Sequence, residues 1–373
     1  MKTFLIHPKI VSRNKKIIPN IVYKNMNAQL LHKLYGLWNF FSIFAVLKML
    51  RYLYRQKMKH SILLAFLLLL AACISCGDSD SAGEKPHYVI ASLRGPSSLG
   101  MLYLIDSLNN TEGAAFEIEI LNEPLQVRKM MLDGSADFAI LPTTMAALLY
   151  NKGVDYRLEA VSTWGTLYLC GNDTTLRSWN DLKGNMIYLM AKNMTPDVLF
   201  RHLLERNGLE PYSDVGLDYR FPNHIDLAAA TAAGLTTMSV LSEPYLSYAL
   251  LKNPNLHIMM SLHDEWMKIH GFEMPETAFI CKGEISENNE QLVDNVVNIY
   301  RKSVDKVNGN IDEAAALAVK YQIIADTAAA MNSIPRSNMK VVRADEVKDL
   351  VVNYLDVFCK MDSSIIGGKM QKK

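Results

Sequence analysis

The chain has 373 residues, half of them hydrophobic, and 39 Lys+Arg against 38 Asp+Glu give a formal net charge of +1. That near-neutral total averages two unlike pieces: residues 1–72 hold twelve basic residues and no acidic one, which leaves 27 basic and 38 acidic residues after them, a net −11. So acidic a body, with no basic stripe to neutralise phosphates, excludes a nucleic-acid-binding surface.

The first predicted element is a leader. Met58-Lys59-His60, the apolar run 61–70 and Ala71-Ala72-Cys73 form the positive start, apolar core and small-residue end of a secretory signal. The run is too short to span a bilayer, which takes about 20 apolar residues. Leu70-Ala71-Ala72-Cys73 resembles the lipobox of bacterial lipoproteins, which implies a signal peptide over 58–72 and an acyl anchor (palmitate among its chains) on Cys73. A buried apolar helix that happens to carry Ala-Ala-Cys is the plain alternative.

Residues 1–57, rich in Asn, Lys and Tyr and free of acid, are expected to be an upstream extension, with translation starting at Met58. The competing expectation is a membrane hairpin of residues 34–50 with the apolar run, against which stand Trp38, Asn39 and Lys48. Mass spectrometry of the native protein decides between them, since peptides from before Met58 exclude the start-site idea.

Residues 73–86 are a polar Gly/Ser/Pro tether with nothing to bury. The folded part is expected over roughly 87–361, large enough for two lobes, and 362–373 reads as a frayed tail. Cys76 is a poorer anchor candidate than Cys73, because Cys73 occupies the position three before it. Of the other cysteines, a Cys170–Cys281 bridge is conceivable in an exported protein, though small buried hydrophobes explain them as well. No spacing resembles a metal site.

Short apolar runs then alternate with helical patterns. Strands are predicted over 87–93, 116–121, 137–141 and 157–161, and helices over 97–108, 124–132 and 143–151. This rhythm implies a mainly parallel sheet with helices on both faces. Each helix begins with Pro, Ser or Thr, which suit cap and first-turn positions, and Gly134 and Gly153 sit just past helix ends.

The rhythm restarts with strands over 166–170, 186–189, 215–219, 237–241 and 256–260, and helices over 195–206, 225–233 and 243–251. A last strand is predicted over 277–281. From Asn288 onward the chain reads as all helical, over 288–308, 311–321, 327–332 and 343–361. No solenoid repeat is present.

Six stretches now resemble one family, the substrate-binding proteins of nitrate, sulfonate, taurine and pyrimidine-precursor ABC importers. They are Gly95-Pro96-Ser97-Ser98-Leu99-Gly100-Met101; Gly134-Ser135-Ala136-Asp137-Phe138-Ala139-Ile140-Leu141-Pro142; and Leu148-Leu149-Tyr150-Asn151-Lys152-Gly153. Asp181-Leu182-Lys183-Gly184, Thr195-Pro196-Asp197 and Ser242-Glu243-Pro244 follow in the expected order. One departure is Thr236-Thr237, where relatives have an Asp before the strand. The resemblance covers roughly residues 87–281. It implies an α/β chain of the type II periplasmic-binding-protein fold: two α/β lobes, two crossing segments near 162–168 and 261–277, and a C-terminal helical region. The lobe divisions are then 87–163 for the first part of lobe one, 164–262 for lobe two and 263–361 for the return to lobe one.

Ligands of open α/β sheets bind beyond the carboxyl ends of the strands, and helix amino-termini there offer unpaired N–H groups and partial positive charge. The candidate ligand residues are therefore Gly95, Ser97 and Ser98, Thr143 and Thr144, and Asn193 and Thr195. Ordinary helix capping needs the same residue types. Trp164 at the first crossing either stacks a planar ligand or packs the hinge. Glu243 either caps its helix or bonds a ligand amine or ring N–H. Trp266, His270 and Arg94 are weaker candidates, Arg94 as a counter-charge to an anion or as a solvated rim residue.

These residues suit a small-molecule ligand, with a lean toward a planar heterocycle, and no cofactor. The histidines show no catalytic order, and G-x-S-x-G, HExxH, Walker and GxGxxG patterns are absent. An enzyme is therefore not expected. The implied partners are an ABC permease and, through the anchor, a membrane on its periplasmic or extracellular side; a monomer is expected. A ligand-sensing domain that signals to a membrane partner is the alternative.

Overall fold

A computed structural model describes residues 48, 87–176 and 178–370 of the chain. The expected signal peptide, Cys73, Cys76, the expected tether and the expected 1–57 extension lie outside the described residues, apart from Lys48. Among those described, no helix is long and apolar enough to cross a membrane.

The first half of the chain builds β1 (Tyr88–Leu93), α1 (Pro96–Gly100), α2 (Leu102–Asn109), β2 (Phe116–Leu121), α3 (Pro124–Asp133), β3 (Phe138–Pro142), α4 (Thr143–Asn151) and β4 (Tyr156–Thr163). A second series follows: β5 (Leu167–Gly171), a 3-10 turn (Trp179–Leu182), β6 (Met186–Tyr188), α5 (Thr195–Arg206), β7 (Gly216–Asp218), α6 (His224–Ala232), β8 (Met238–Ser242), α7 (Tyr245–Lys252), β9 (His257–Ser261) and α8 (Leu262–His270). The chain returns through β10 (Thr277–Lys282), α9 (Gly283–Asn288), α10 (Glu290–Gly309), α11 (Ile311–Lys320), α12 (Thr327–Arg336), β11 (Met339–Arg343) and α13 (Lys348–Met361). It closes on a 3-10 turn, Ser363–Ile366.

Two sheets result. The first has strand order β11-β4-β10-β3-β1-β2 and the second β7-β6-β8-β5-β9. β1 pairs in parallel with β2 and β3, as the alternating rhythm predicts, but β10 runs antiparallel to both β3 and β4, and β5 antiparallel to β8 and β9. The sheets are therefore mixed, not mainly parallel. The reason is topological: β4, β5 and β10 adjoin the crossings, where the chain enters or leaves a lobe, and their direction is fixed by that passage instead of by a helical crossover.

Local chemistry accounts for the elements that carry the site. Asp137, the acid of the Gly134-to-Pro142 stretch, accepts from Val89 N at 2.9 Å and pairs with Lys282 Nζ at 2.8 Å, so it ties β1 to β10. Gly134 ends α3 at φ 78°, the left-handed position a helix end favours. The helix expected over 97–108 is two helices, α1 and α2, meeting at Met101.

The region expected to be all helical contains β11, an edge strand paired to β4 with Met339 and Val341 buried and Lys340 exposed. α8 fills much of the second expected crossing, so the passage itself narrows to residues 271–276, and buried Trp266 joins the core of the second sheet. α13 joins the same core through Val351, Tyr354, Leu355 and Phe358.

The described part of the tail, to residue 370, is folded against the first lobe. Ile365 and Ile366 are buried, and Asn151 Nδ2 of α4 donates to the carbonyls of Ile366 at 2.6 Å and Lys369 at 2.8 Å. Cys170 and Cys281 are free and buried, not bridged. Burial pushes the Cys170 thiol up to about 12, which makes it an inert packing group.

Candidate functional site

A cavity of about 430 Å³ lies between the two sheets' helices. Its walls come from the loop after β1, the first turns of α3 and α4, the loop after β6, the starts of α6 and α7, both crossings and the 3-10 turn near the C-terminus. The strand-end rule places a ligand site there.

The two lobes touch across this space. Thr144 Oγ1 of α4 and Thr195 Oγ1 of α5 are 2.7 Å apart, and both residues are buried. Neither helix has a side-chain cap at its amino-terminus, although Thr143 N of α4 donates to the Glu276 carbonyl at 2.9 Å and α5 carries Asp197 in its first turn. A second contact brings the loop after β1 against the Glu243-Pro244 turn. A Cβ on Gly95 would lie 3.8 Å from Pro244 Cδ, and Gly95 has φ 139°, a conformation open to glycine.

The loop after β6 is held in an unusual shape. Ala191 and Asn193 adopt φ 52° and 61°, left-handed values that a non-glycine residue keeps only under local constraint. Asp197, fully buried in the first turn of α5, supplies that constraint. Its carboxylate accepts from Asn193 N at 2.7 Å and Tyr219 OH at 2.6 Å, and it pairs with Arg201 Nε at 2.9 Å. The loop thus presents Asn193 and Thr195 to the cavity from a fixed base.

Of the residues singled out in the sequence, Gly95, Ser97, Thr144, Asn193, Thr195 and Glu243 line the cavity, as does Arg94. Ser98, Thr143 and Trp164 do not. Ser98 Oγ accepts from Gly95 N and donates to Gly95 O, both at 3.1 Å, which is a turn-forming role. Thr143 Oγ1 donates to Pro275 O at 2.7 Å and so links α4 to the second crossing. Trp164 is 2% exposed, donates from Nε1 to Lys340 O at 2.7 Å and lies under Lys340 Nζ, a packed position at the hinge. Trp266 and His270 form a buried aromatic cluster with His202, away from the cavity.

Glu243 reaches the cavity wall, but its carboxylate is engaged elsewhere. Oε1 receives Arg336 Nε at 2.5 Å, and Oε2 receives Ser247 N at 3.1 Å and Ser247 Oγ at 2.7 Å. Arg336 Nη2 also donates to Ser247 Oγ at 2.6 Å, which closes the network. The carboxylate therefore caps α7 and ties it to α12. Arg94 donates to Asn122 Oδ1 and to the Gln322 carbonyl, so its guanidinium is held at the rim.

Two cavity residues carry chemistry that the sequence did not single out. Glu276, just before β10, accepts from Thr166 N at 2.6 Å and Thr166 Oγ1 at 3.0 Å, which joins the second crossing to the first. Burial raises its carboxyl above the usual range, opposed by those bonds and one from Gly165. His224, at the start of α6, has Nδ1 2.9 Å from Ser242 Oγ and stacks on Tyr245 with ring centroids 5.2 Å apart. Burial drops its pKa to about 4, so it is a neutral, flat surface at neutral pH.

Among the described residues no group of three or more His, Cys, Asp or Glu is placed to hold a metal ion. The polar groups converge on a solute-sized space, an arrangement suited to holding a molecule.

Comparison with solved structures places this architecture. A crystal structure of an ABC transporter protein from Parabacteroides distasonis matches at 26% identity with a TM-score of 0.67, covering 77% of this chain and 96% of that one. The chain has the type II periplasmic-binding-protein fold. The periplasmic aliphatic sulphonate-binding protein SsuA of Escherichia coli matches at 16% identity, TM-score 0.60, over 74% of this chain and 87% of its own. The alkanesulfonate-binding SsuA of Xanthomonas axonopodis pv. citri, bound to MOPS, matches at 16% identity, TM-score 0.59, over 75% and 94%.

Among curated proteins, YtlA of Bacillus subtilis strain 168, described as a candidate binding protein, is 23% identical over 164 residues, 43% of this chain. The chain spans about half the length of that relative, 47% of it. No protein-family model matches. The periplasmic-binding fold agrees with the resemblance read in the sequence, and the SsuA neighbours are binding proteins, not enzymes.

Proposed function

We propose that this chain is an extracytoplasmic solute-binding lipoprotein that captures a small organic molecule between its lobes and delivers it to an ABC importer. The observation that carries this reading is the cavity closed by Thr144 and Thr195, where two uncapped helix amino-termini face each other from opposite lobes. A solute with an acceptor group at that point gains from both lobes at once. It favours the closed arrangement by its greater affinity for it, which is the requirement for capture by closure.

In this reading Gly95, Ser97, Thr144, Asn193 and Thr195 contact the ligand, and the stacked His224 and Tyr245 form a flat wall. Cys73 carries the lipid, and the tether leaves the lobes free to meet a permease. The solutes of the matched binding proteins, sulfonates, and the planar heterocycles favoured by the sequence are the first to try.

The test is a thermal-shift screen of the full chain in detergent against sulfonates, taurine, nitrate, aminopyrimidines, thiamine and small amines. A ligand bound to the folded state raises the melting temperature by mass action. A hit whose effect is reduced in Thr195→Val supports capture in this cleft, whereas a folded protein that responds to none of them contradicts it.

A further inference from the structure

The lining of the cavity is unevenly charged. It includes one cation, Arg94, and three carboxylates, Glu123, Glu243 and Glu276. Glu243 is matched by Arg336 at 2.5 Å. Arg94 spends its guanidinium on Asn122 and the Gln322 carbonyl at the rim. At the mouth, Glu123 of the α3 cap and Asp226 of α6 repel each other from opposite lobes.

Glu276 stands apart from these. It lies where the two crossings meet, both of its oxygens are oriented by Thr166, and among the described residues no Lys, Arg or His makes an ion pair with it. A carboxylate withdrawn from water without a counter-charge is unfavourable, and hydrogen bonds offset only part of that cost. A solute complementary to that carboxylate bears a cationic group.

We propose that the ligand of this cleft carries a protonated amine or amidine, and that Glu276 is its ion-pair partner. The inference rests on the solute-binding reading and adds the charge of the solute. It sets this cleft apart from one built for a bare sulfonate, because an anion without a cationic group would face the Glu276 carboxylate. Thr166 acts as the positioning residue that aims the carboxylate.

The test is titration calorimetry on the full chain with matched probes that share one body and differ in charge: benzamidine, benzamide and benzenesulfonate, with the corresponding amino, amido and sulfonato pyrimidines. The expected result is that the cationic member binds at least tenfold tighter than its neutral partner and that the sulfonate does not bind. Glu276→Gln, which keeps the size and one acceptor for Thr166, should remove that preference. The ranking of probes by the wild-type protein decides the matter even if the variant folds poorly. Preference for the sulfonate, or an unaltered cation preference in Glu276→Gln, overturns the charge assignment and leaves solute binding standing. Binding of no probe in either series overturns both.

Discussion

Thr144 and Thr195 stand 51 residues apart in sequence and on opposite lobes, yet their hydroxyl oxygens are 2.7 Å apart at the mouths of two helices. Each belongs to a helix whose first turn has no side-chain cap. The contact therefore marks the place where lobe closure and ligand recognition coincide, because a molecule that bonds to these helix ends also bridges the lobes.

Replacing Thr195 by Val keeps the shape and removes the hydroxyl. Loss of one buried hydrogen bond is worth about 1 kcal/mol, so the variant is expected to weaken solute binding about fivefold. Small-angle scattering of the free protein should show a larger radius of gyration, with far-ultraviolet dichroism unchanged. An unchanged radius and affinity would remove this pair from the closure mechanism.

Glu243 is expected to matter for stability and little for affinity. In Glu243→Ala, Arg336 loses its partner and Ser247 its acceptor. Breaking a buried pair costs about 3–5 kcal/mol; because Arg336 keeps 28% of its side chain in water, the lower end applies. Urea denaturation should show that loss, with solute affinity within about threefold of wild type. A large affinity loss at unchanged stability would return Glu243 to the ligand.

Acid is expected to destabilise the fold through its histidines. Burial, with His270 and Arg206 beside it, holds His202 down to about 4, and burial alone holds His224 to about 4. Both are neutral when folded at pH 5, whereas the unfolded chain binds protons below about 6.5. Stability is therefore lost as pH falls from about 6.5 and the loss levels off below about 4. Buried Glu243 and Glu276, whose carboxyls are raised, act with the opposite sign. The histidine share is read as a difference: His202→Gln should flatten the fall in urea midpoint between pH 7 and 4.5, and an identical slope in the variant would contradict this origin.

The C-terminal segment acts as a strap. α13 packs with the second lobe's core, while Ile365 and Ile366 are buried and Asn151 of α4 holds their turn to the first lobe. Ser364 and Ile365 also line the cavity. Ending the chain after Met361 removes two buried isoleucines, worth about 1.5–3 kcal/mol each, and opens one wall. A lower melting temperature together with a faster solute off-rate is expected; a truncated protein with both unchanged would show the strap to be idle.

Much of this organisation was legible in the sequence. The βα rhythm, the turn glycines and the motif order located ten of the eleven described strands to within about two residues, and α5 to the residue. β11 escaped because its partner β4 is about 180 residues away, and the alternation in Met339-Lys340-Val341 covers only one short edge strand. α8 was hidden in a segment assigned to a crossing, although Ser261 before it accepts from Asp264 N in an ordinary cap. Trp164 and Glu243 are residue types shared by ligand contacts and by packing; in the fold Trp164 bonds Lys340 O and Glu243 pairs with Arg336. Glu276 had no local pattern to mark it. Its position depends on the meeting of two crossings more than 100 residues apart, which spacing along the chain does not reveal.

The central claim is that a solute closes the two lobes on one another, and a distance measured across the cleft tests it most directly. Leu125 and Ile225 are exposed, at 61% and 52%, on α3 and α6 beside the cavity mouth. Spin labels introduced there through non-natural residues allow double electron–electron resonance on the full chain, alone and with each solute of the screen. The account predicts a broad or two-component distribution without solute that collapses to the single short distance when a solute binds. A distribution that stays the same with a bound solute would contradict capture by closure.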